Sequence, residues 1–364
     1  MVDWRKQVRW GRTELNAVLT RSRLALYVGW TGHRNLGDEA LLQCIQRLFR
    51  DHLFLYDKPY IGRGISYRIG REQRFDCVML GGGTLINRAD EYLRRLQSTR
   101  ARFKVVFGAG VADPDFWRNE VKQPVAQDMA KWVSVLNNEI AYLGVRGPRS
   151  VRLLEEGGVT RPIEILGDPA LTLARDTLYT PRRRGVIGLN VCRCKDLLWG
   201  QSDDAFLNRF EEISGALMSK GWDLVYFPMS DEDVAPCRQM VESVRASGGR
   251  ASMERITDPE AFVERMTAMD LFIGEKLHAV VLAACALVPV IMMEYRPKCR
   301  DFMDSMGLTD FCRQVNQVTL DWVLDRVDVC LRDEALLRKK MLDTASSYKA
   351  RQKSAAAKII AMLD

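Results

Sequence analysis

The chain alternates short apolar segments with longer amphipathic ones, and this alternation constrains the fold more than any other feature. In the first half, the apolar segments predict strands and the amphipathic segments predict helices. The predicted strands are 24–29, 53–56, 77–80, 105–107 and 140–145, and the predicted helices are 38–50, 89–98 and 121–138. Elements that alternate at this spacing form crossover units, so we expect a parallel sheet covered by helices on both faces.

A second series of the same kind follows residues 177–184, where the run Pro-Arg-Arg-Arg predicts a linker. Its predicted strands are 186–191, 223–227, 270–273 and 288–292, and its predicted helices are 205–220, 235–246, 260–266 and 278–286. The sequence therefore predicts an α/β protein with two Rossmann-like domains. Such folds bind ligands at the carboxyl ends of their strands, so we expect the site in a central cleft that both parallel sheets face.

The chain divides into four predicted parts. They are a basic amphipathic N-terminal helix at 1–23, Rossmann-like domains at 24–175 and 176–315, and terminal helices at 316–364 that pack back on the domains. The basic residues of the N-terminal helix are Arg5, Lys6, Arg9, Arg12, Arg21 and Arg23. Such a helix can lie on an anionic membrane, or it can pack on the domain with its charges solvated. Both alternatives remain open.

The composition is that of a globular protein. With 47% hydrophobic and 28% charged residues, the chain falls outside the disordered, collagenous and disulfide-stapled classes. The formal net charge of +7 suits anionic small molecules or an anionic membrane surface. No clustered basic stripe is present, so we expect no nucleic-acid partner. The longest apolar run, 279–293, is shorter than the ~20 residues of a membrane span, and the N-terminus lacks the apolar core of a secretory signal.

The cysteines indicate a reduced, cytoplasmic protein. There are nine of them, an odd number, and no two form a Cys-x-x-Cys pair. Cys192 and Cys194 are the only close pair, and two thiols do not complete a zinc site in a chain with three histidines. We therefore expect no metal site.

Two glycine-rich loops follow predicted strands. The first, residues 29–42, contains Asn35, Gly37 and Asp38 and opens a helix. Free N–H groups at a helix start bind anions or hydroxyls, but Asn35 and Asp38 can equally act as helix caps. The second loop, residues 81–84, contains three successive glycines, each costing about 0.5–1 kcal/mol of backbone entropy. This pattern favours a surface that a sugar or phosphate approaches closely.

An arginine ends the last predicted strand of the first half. The guanidinium of Arg146 can hold a carboxylate or a phosphate there through two parallel hydrogen bonds. The alternative is a surface arginine that pairs with Glu139 or Glu155.

Further cations follow the predicted strands of the second half. Lys276 and His278 come directly after one strand, and Lys298 comes after the next, so they should meet at one sheet edge. Arg193, just past the strand 186–191, can join them. His278 can move a proton near neutral pH, or it can be a hydrogen-bonded core histidine. The set suits a small anion that carries several charges.

These motifs, taken in order, resemble those of the polysaccharide pyruvyl transferase family. The resemblance covers roughly residues 24–310 and is carried by the segments 35–40, 81–85, 145–146, 167–170, 276–279 and 289–298. It implies a GT-B-like fold and the transfer of pyruvate from phosphoenolpyruvate onto two hydroxyls of one sugar, forming a cyclic ketal and releasing phosphate. It also implies a glycan or lipid-linked precursor as acceptor, peripheral contact with the inner face of the cytoplasmic membrane, and no cofactor beyond phosphoenolpyruvate as co-substrate.

The resemblance also implies roles for individual residues. Arg146, His278 and Lys298 stand at the positions of the family's donor-site arginine, histidine and lysine and would be the catalytic residues. For the reaction itself, His278 is the candidate for acid–base chemistry, and Asp38 or Glu275 can accept the hydroxyl proton. The donor would bind mainly to the second domain, with Arg146 reaching it from the first. The predicted donor-binding residues are Arg146, Arg193, Lys276, Leu277, His278 and Lys298. Acceptor binding by the first domain would involve Asn35, Gly37, Asp38, Gly82, Gly83 and Thr84.

The sequence departs from the family pattern at two places. Lys276 stands where many members have arginine, so the bidentate fork is lost although the charge is kept. His33 and Arg34 stand where aromatic or small residues are usual. Two alternatives therefore remain: a GT-B glycosyltransferase with Glu275 or Glu294 on the ribose of a nucleotide sugar, and a catalytically silent member of a glycan-assembly complex. The oligomeric state is left open.

Overall fold

The computed structural model describes residues 23–57, 75–120, 129–180, 183–200 and 202–364. The predicted N-terminal helix lies outside the described residues except for Arg23. The first part of the predicted helix 121–138 and the residues 181 and 182 of the predicted linker lie outside them as well.

The first domain is built on a parallel sheet of seven strands. They are β1 (Leu24–Val28), β2 (Phe54–Tyr56), β3 (Phe75–Leu80), β4 (Gly83–Ile86), β5 (Ala101–Val111), β6 (Ile140–Val145) and β7 (Glu164–Ile165). The strand order is β2-β1-β3-β5-β6-β7, and β4 pairs with β5. Every residue of β1 is buried, as expected for a strand with helices on both sides. The helices are α1 (Leu36–Phe49), α2 (Asp90–Ser98), α3 (Met129–Asn138) and α4 (Pro148–Glu156).

The second domain repeats this plan with six parallel strands. They are β8 (Val186–Asn190), β9 (Asp223–Tyr226), β10 (Ala251–Met253), β11 (Leu271–Gly274), β12 (Val290–Glu294) and β13 (Cys312–Gln314). The order is β10-β9-β8-β11-β12-β13, and Gly274 of β11 lies opposite Asn190 of β8. The helices are α5 (Asp203–Ser219), α6 (Val234–Ala246), α7 (Pro259–Met266), α8 (Leu277–Cys285) and α9 (Pro297–Ser305). The α/β class with two parallel sheets is thus as predicted.

Several elements differ from the prediction. The strand predicted at 105–107 spans Ala101–Val111. Its first residues were not predicted as strand, because they are partly polar and lie at a half-exposed end. The short strands β4, β7, β10 and β13 were not predicted, since two to four residues show no measurable periodicity. The helix α9 was also missed, because its sequence is mostly polar and begins inside a segment that looks like a turn.

The long helix α11 (Glu334–Ala361), which follows α10 (Leu320–Arg332), joins the two domains. Met341 and Ala345 pack in the core of the second domain, whereas Ala355 and Ile359 pack with the first sheet. Gln352, between them, donates to the backbone carbonyls of Leu166 at 2.9 Å and Asp168 at 3.0 Å. The helix therefore anchors the segment that follows β7.

Candidate active site

The start of α1 lies directly against His278 of the second domain. Asn35 caps α1, since its side chain accepts a hydrogen bond from the Gly37 N–H at 3.0 Å. The N–H of Leu36 donates across the domain boundary to the carbonyl of Met229 at 2.9 Å. A Cβ at Gly37 would lie 2.3 Å from the Cγ and Nδ1 of His278, so only glycine leaves room for the imidazole. Asn35 thus has the capping role that the sequence left open.

His278, the second residue of α8, faces a buried carboxylate. Its Nε2 lies 3.6 Å from Oδ2 of Asp168, which is fully buried and accepts a hydrogen bond from the Ala170 N–H at 3.0 Å. Burial raises the pKa of Asp168, but the contact with His278 and the charge of Arg146 outweigh it and keep this pKa below its usual value. Neither Nε2 nor Oδ2 has a hydrogen-bond partner among the described residues. His278 is therefore not a core histidine with satisfied nitrogens.

Arg146 directly follows the last residue of β6, at the strand end where it was predicted, and its side chain is only 1% exposed. Its Nη2 donates to Oγ1 of Thr84 at 3.1 Å, and its Nε lies 4.0 Å from Asp301. Within the described part of the chain, Nε and Nη1 lack hydrogen-bond partners. Buried unpaired N–H groups are costly, so they mark a place where an anionic oxygen would bind. The alternative surface pair is wrong: Glu139 pairs with Lys104 at 2.6 Å.

Lys298 lies in the first turn of α9, with its Nζ 5.0 Å from the centre of the Tyr295 ring. No carboxylate oxygen of the described residues lies within ion-pair distance of this ammonium. Burial, together with repulsion from Arg296 and Arg146, lowers the pKa of Lys298 to about 8. A bound anion would relieve this repulsion.

Two further arginines, which the sequence analysis did not assign, extend the cationic site. The Cζ of Arg88 lies 3.9 Å from the ring centre of Trp117, and that of Arg296 lies 5.7 Å from the same ring. Burial and the charge of Arg296 lower the pKa of Arg88. Arg296 donates to the carbonyl of Leu197 at 2.8 Å. Among the described residues, no acid forms an ion pair with Arg88 or Arg296. Arg88, Arg296 and Lys298 therefore form a row of cations with unbalanced charge.

Two of the predicted donor cations are paired with acids instead. The Nζ of Lys276 lies 2.7 Å from Oδ1 of Asp233 and 2.7 Å from Oγ of Ser230. Arg193 is exposed and pairs with Asp204 at 2.9 Å. Both therefore have their charge balanced within the chain, unlike Arg88 and Arg296. Leu277, another predicted donor residue, packs in the hydrophobic core.

Of the two candidate bases, only Asp38 lies among the cations. Its half-buried carboxylate on α1 interacts electrostatically with His278 and Lys298, and burial raises its pKa despite these charges. Glu275 is buried behind the site, where it accepts a hydrogen bond from the Cys192 N–H at 2.8 Å. Glu294 pairs with Arg300 at 3.0 Å. Neither glutamate faces the cleft cations.

The packing around β3 requires glycine at the positions that follow this strand, and their role in acceptor binding stays a prediction. A Cβ at Gly81 would lie 2.0 Å from the Tyr27 ring, and one at Gly82 would lie 2.9 Å from Leu41. Gly83 has a φ of +102°, which favours glycine. The next residue, Thr84, holds the Arg146 guanidinium.

Two aspartates at the site were missed by the sequence analysis. Asp168 lies in the segment 167–170, which the sequence analysis noted as a motif. Its contact with His278 was not predicted. Asp301, one turn after Lys298, accepts from the Arg149 N–H at 2.8 Å and from Oγ of Ser150 at 2.7 Å. No local pattern indicates Asp301, because its partners lie about 150 residues earlier on another helix.

A model of the polysaccharide pyruvyl transferase family matches residues 35–297. A search of curated proteins found no significant match. Among the residues that the structure describes, no helix is long and apolar enough to cross a membrane.

Three solved structures illustrate the fold. A putative UDP-N-acetylglucosamine 2-epimerase from Listeria monocytogenes has a TM-score of 0.56 at 15% identity, with 93% of this chain and 95% of that chain covered. MnaA from S. aureus, solved with UDP, has a TM-score of 0.55 at 11% identity, with 88% and 90% covered. A UDP-glucosyltransferase from Polygonum tinctorium has a TM-score of 0.52 at 11% identity, with 94% and 98% covered. These likenesses confirm the predicted GT-B-like fold.

Proposed function

Because this chain belongs to the polysaccharide pyruvyl transferase family, we propose that it moves pyruvate from phosphoenolpyruvate onto two hydroxyls of one sugar, releasing phosphate. The family implies a sugar or polysaccharide acceptor. The observation that carries the donor assignment is the buried Arg146 guanidinium, whose Nε and Nη1 have no partner among the described residues. Phosphoenolpyruvate has a carboxylate and a phosphate, and the site offers cations for both.

In this proposal the unpaired Nη1 of Arg146 binds the donor carboxylate. Thr84 contacts Nη2 and Asp301 lies 4.0 Å from Nε, so these two residues hold the guanidinium in place. The phosphate lies toward Lys298 and Arg296, whose mutual repulsion an anion relieves. Arg88 adds positive charge at the edge of this position. Arg193 and Lys276, which we also expected at the donor, pair with acids, so in this proposal neither contacts phosphoenolpyruvate.

His278 supplies the proton in the first chemical step. A proton on its imidazole passes to the methylene carbon of phosphoenolpyruvate, which becomes a methyl group while C2 gains oxocarbenium character. The buried Asp168 carboxylate stabilises the charged imidazole and orients the ring. Gly37 leaves the space in which the ring sits.

Asp38 serves as the base for the acceptor. It takes the proton of the first sugar hydroxyl as that oxygen bonds to C2, and a second hydroxyl then displaces phosphate to close the ketal. Asp38 passes its proton on to His278, and the proton of the second hydroxyl leaves with phosphate, so both residues return to their starting forms and the reaction balances without oxidant or reductant. The raised pKa of Asp38 favours this proton transfer. The chemistry uses phosphoenolpyruvate as co-substrate and requires no other cofactor.

The first domain offers a surface for the acceptor sugar. Trp30 is 49% exposed and stacks on His33, with the ring centres 3.8 Å apart. This pair stands in the loop between β1 and α1, which precedes Asp38 in the chain, and an exposed aromatic face suits the apolar face of a sugar ring. We place a glycan or lipid-linked precursor there, which would bring the chain to the inner face of the cytoplasmic membrane.

The glycosyltransferase alternative is less well supported. It would need Glu275 or Glu294 on a ribose, but Glu275 contacts Cys192 and Glu294 pairs with Arg300. Thermal unfolding with phosphoenolpyruvate and with UDP-sugars separates the two functions. Phosphoenolpyruvate at 100 times its dissociation constant should stabilise the protein by about 2.7 kcal/mol.

This stabilisation should disappear in Lys298→Ala and persist in the matched control Arg193→Ala, an exposed cation that is paired with Asp204. A shift with a UDP-sugar and none with phosphoenolpyruvate would overturn the proposal. Donor binding without ketal formation on any glycan acceptor would instead indicate a catalytically silent member.

A further inference from the structure

Behind the cleft, two thiols and a carboxylate from distant parts of the chain converge. The loop after β8 brings Sγ of Cys192 to 3.4 Å from Sγ of Cys194. Oε1 of Glu275, the residue after β11, lies 3.8 Å from the Cys194 sulfur. All three residues are buried, and one ligand atom from each lies within 4.8 Å of the others.

The Glu275 carboxylate has an unusual environment for a buried acid. Its contacts are the Cys192 N–H at 2.8 Å and the Cys194 thiol at 3.8 Å. No lysine, arginine or histidine nitrogen of the described residues forms an ion pair with it, and the neighbouring Lys276 is engaged by Asp233. A fully buried carboxylate without a cation is costly, so a cation bound here would stabilise the charged form of Glu275.

The loop is also fixed in the shape that the cluster needs. The Cys194 N–H donates to Oδ1 of Asp203 at 2.9 Å, and the next two residues, Lys195 and Asp196, both have left-handed backbones with φ of 55° and 54°. The chain therefore turns back sharply and holds both sulfurs toward Glu275.

We propose that Cys192, Cys194 and Glu275 bind a thiophilic divalent cation, zinc above all. Zinc binds thiolates at about 2.3 Å and carboxylate oxygens at about 2.0–2.2 Å, so sulfurs 3.4 Å apart can both reach one ion. Two thiolates favour zinc over magnesium or calcium. On binding, each thiol loses its proton to solvent, and three protein ligands leave a fourth position for water.

This site was not expected from the sequence, because only cysteines and histidines were considered as ligands. Glu275 lies 81 residues after Cys194 and reaches it only through the pairing of β11 with β8. Since Lys276 and His278 follow Glu275 directly, a bound cation would hold the start of α8 against the loop after β8. The proposal rests on the cluster alone and is independent of pyruvyl transfer.

The test is metal content and cobalt spectroscopy on the full chain. Protein purified without chelator should contain about one equivalent of zinc. After chelator treatment, Co²⁺ added alone should produce a thiolate-to-cobalt charge-transfer band, which reports sulfur ligation without any activity measurement. Chelator should also lower the melting temperature.

The variants Cys194→Ser and Glu275→Gln should bind Co²⁺ at least tenfold more weakly. Cys330→Ser, a buried cysteine on α10 outside the cluster, is the matched control and should bind normally. The cobalt titration of the wild type tests the metal site without any variant. A variant that fails to fold therefore does not affect the conclusion. Absence of both zinc and the cobalt band in the wild type would overturn the proposal, as would an intact mass showing a Cys192–Cys194 disulfide in the freshly purified protein.

Discussion

Gly37 and His278 touch across the domain boundary, and the imidazole occupies the space where any other residue at position 37 would carry its Cβ. The glycine belongs to α1 of the first domain and the histidine to α8 of the second. The position of the proposed proton donor therefore depends on how the two domains pack. Gly37, which the sequence analysis assigned to acceptor binding, thus has a steric role toward the proposed proton donor.

Gly37→Ala should displace His278 and lower kcat at least 100-fold, because the new methyl group would lie 2.3 Å from ring atoms. Steady-state kinetics and thermal unfolding measure the effect. Gly215→Ala is the control, since no atom lies within 4 Å of the added Cβ on helix α5. The control should keep its activity and gain up to about 1 kcal/mol of stability. Full activity in Gly37→Ala would show that the imidazole position is unimportant.

Asp168→Asn should reduce kcat by about 10²–10⁴ while the KM for phosphoenolpyruvate changes little, because the amide cannot stabilise a charged imidazole. Asp204→Asn, an exposed aspartate paired with Arg193, is the control and should leave both parameters unchanged. An equal loss of donor binding in Asp168→Asn would indicate a structural role instead.

Affinity for phosphoenolpyruvate should fall as pH rises through about 8, because Lys298 then loses its charge. The donor phosphate, with a second pKa of about 6, stays fully charged in this range. Each pH unit above the midpoint should weaken binding by up to about tenfold. Ligand-induced thermal shifts between pH 7 and pH 10 measure this dependence.

Lys298→Arg provides the comparison, since arginine stays protonated and should flatten the profile. Without ligand, the contribution of Lys298 to the stability of the folded chain changes with pH in the opposite direction. The folded chain binds fewer protons at Lys298 than the unfolded chain between pH 8 and the usual lysine pKa, so this group's contribution to stability rises with pH in that range. A wild-type binding profile that is flat to pH 10 would contradict the role of Lys298.

Asp301→Ala should lower the free energy of unfolding by about 1–3 kcal/mol, because it leaves the buried N-terminus of α4 and Oγ of Ser150 without their acceptor. It should also weaken phosphoenolpyruvate binding, since Asp301 lies 4.0 Å from Nε of Arg146. Urea denaturation gives the first value and a binding titration the second. Asp310→Ala, an exposed aspartate shortly after the same helix, should change neither by more than about 0.5 kcal/mol. A loss of stability with unchanged donor affinity would restrict Asp301 to a packing role.

The order of strands and helices was predictable from the sequence alone, because apolar periodicity is a local property of the chain. The same periodicity predicts that Arg146, His278 and Lys298 follow strands, and parallel strands end at one edge of a sheet. Short strands such as β4 and the polar helix α9 escaped prediction, since two to four residues or a weakly apolar face provide too little periodic signal.

Only the tertiary structure decided which charges are balanced. Lys276 and Arg296 look equivalent in the sequence, yet Lys276 is neutralised by Asp233 and Arg296 has no such partner among the described residues. Likewise, the contact of Glu275 with Cys194 joins residues 81 positions apart. Local periodicity encodes which face of an element is buried, whereas the partner of a buried charge depends on which distant element packs against that face.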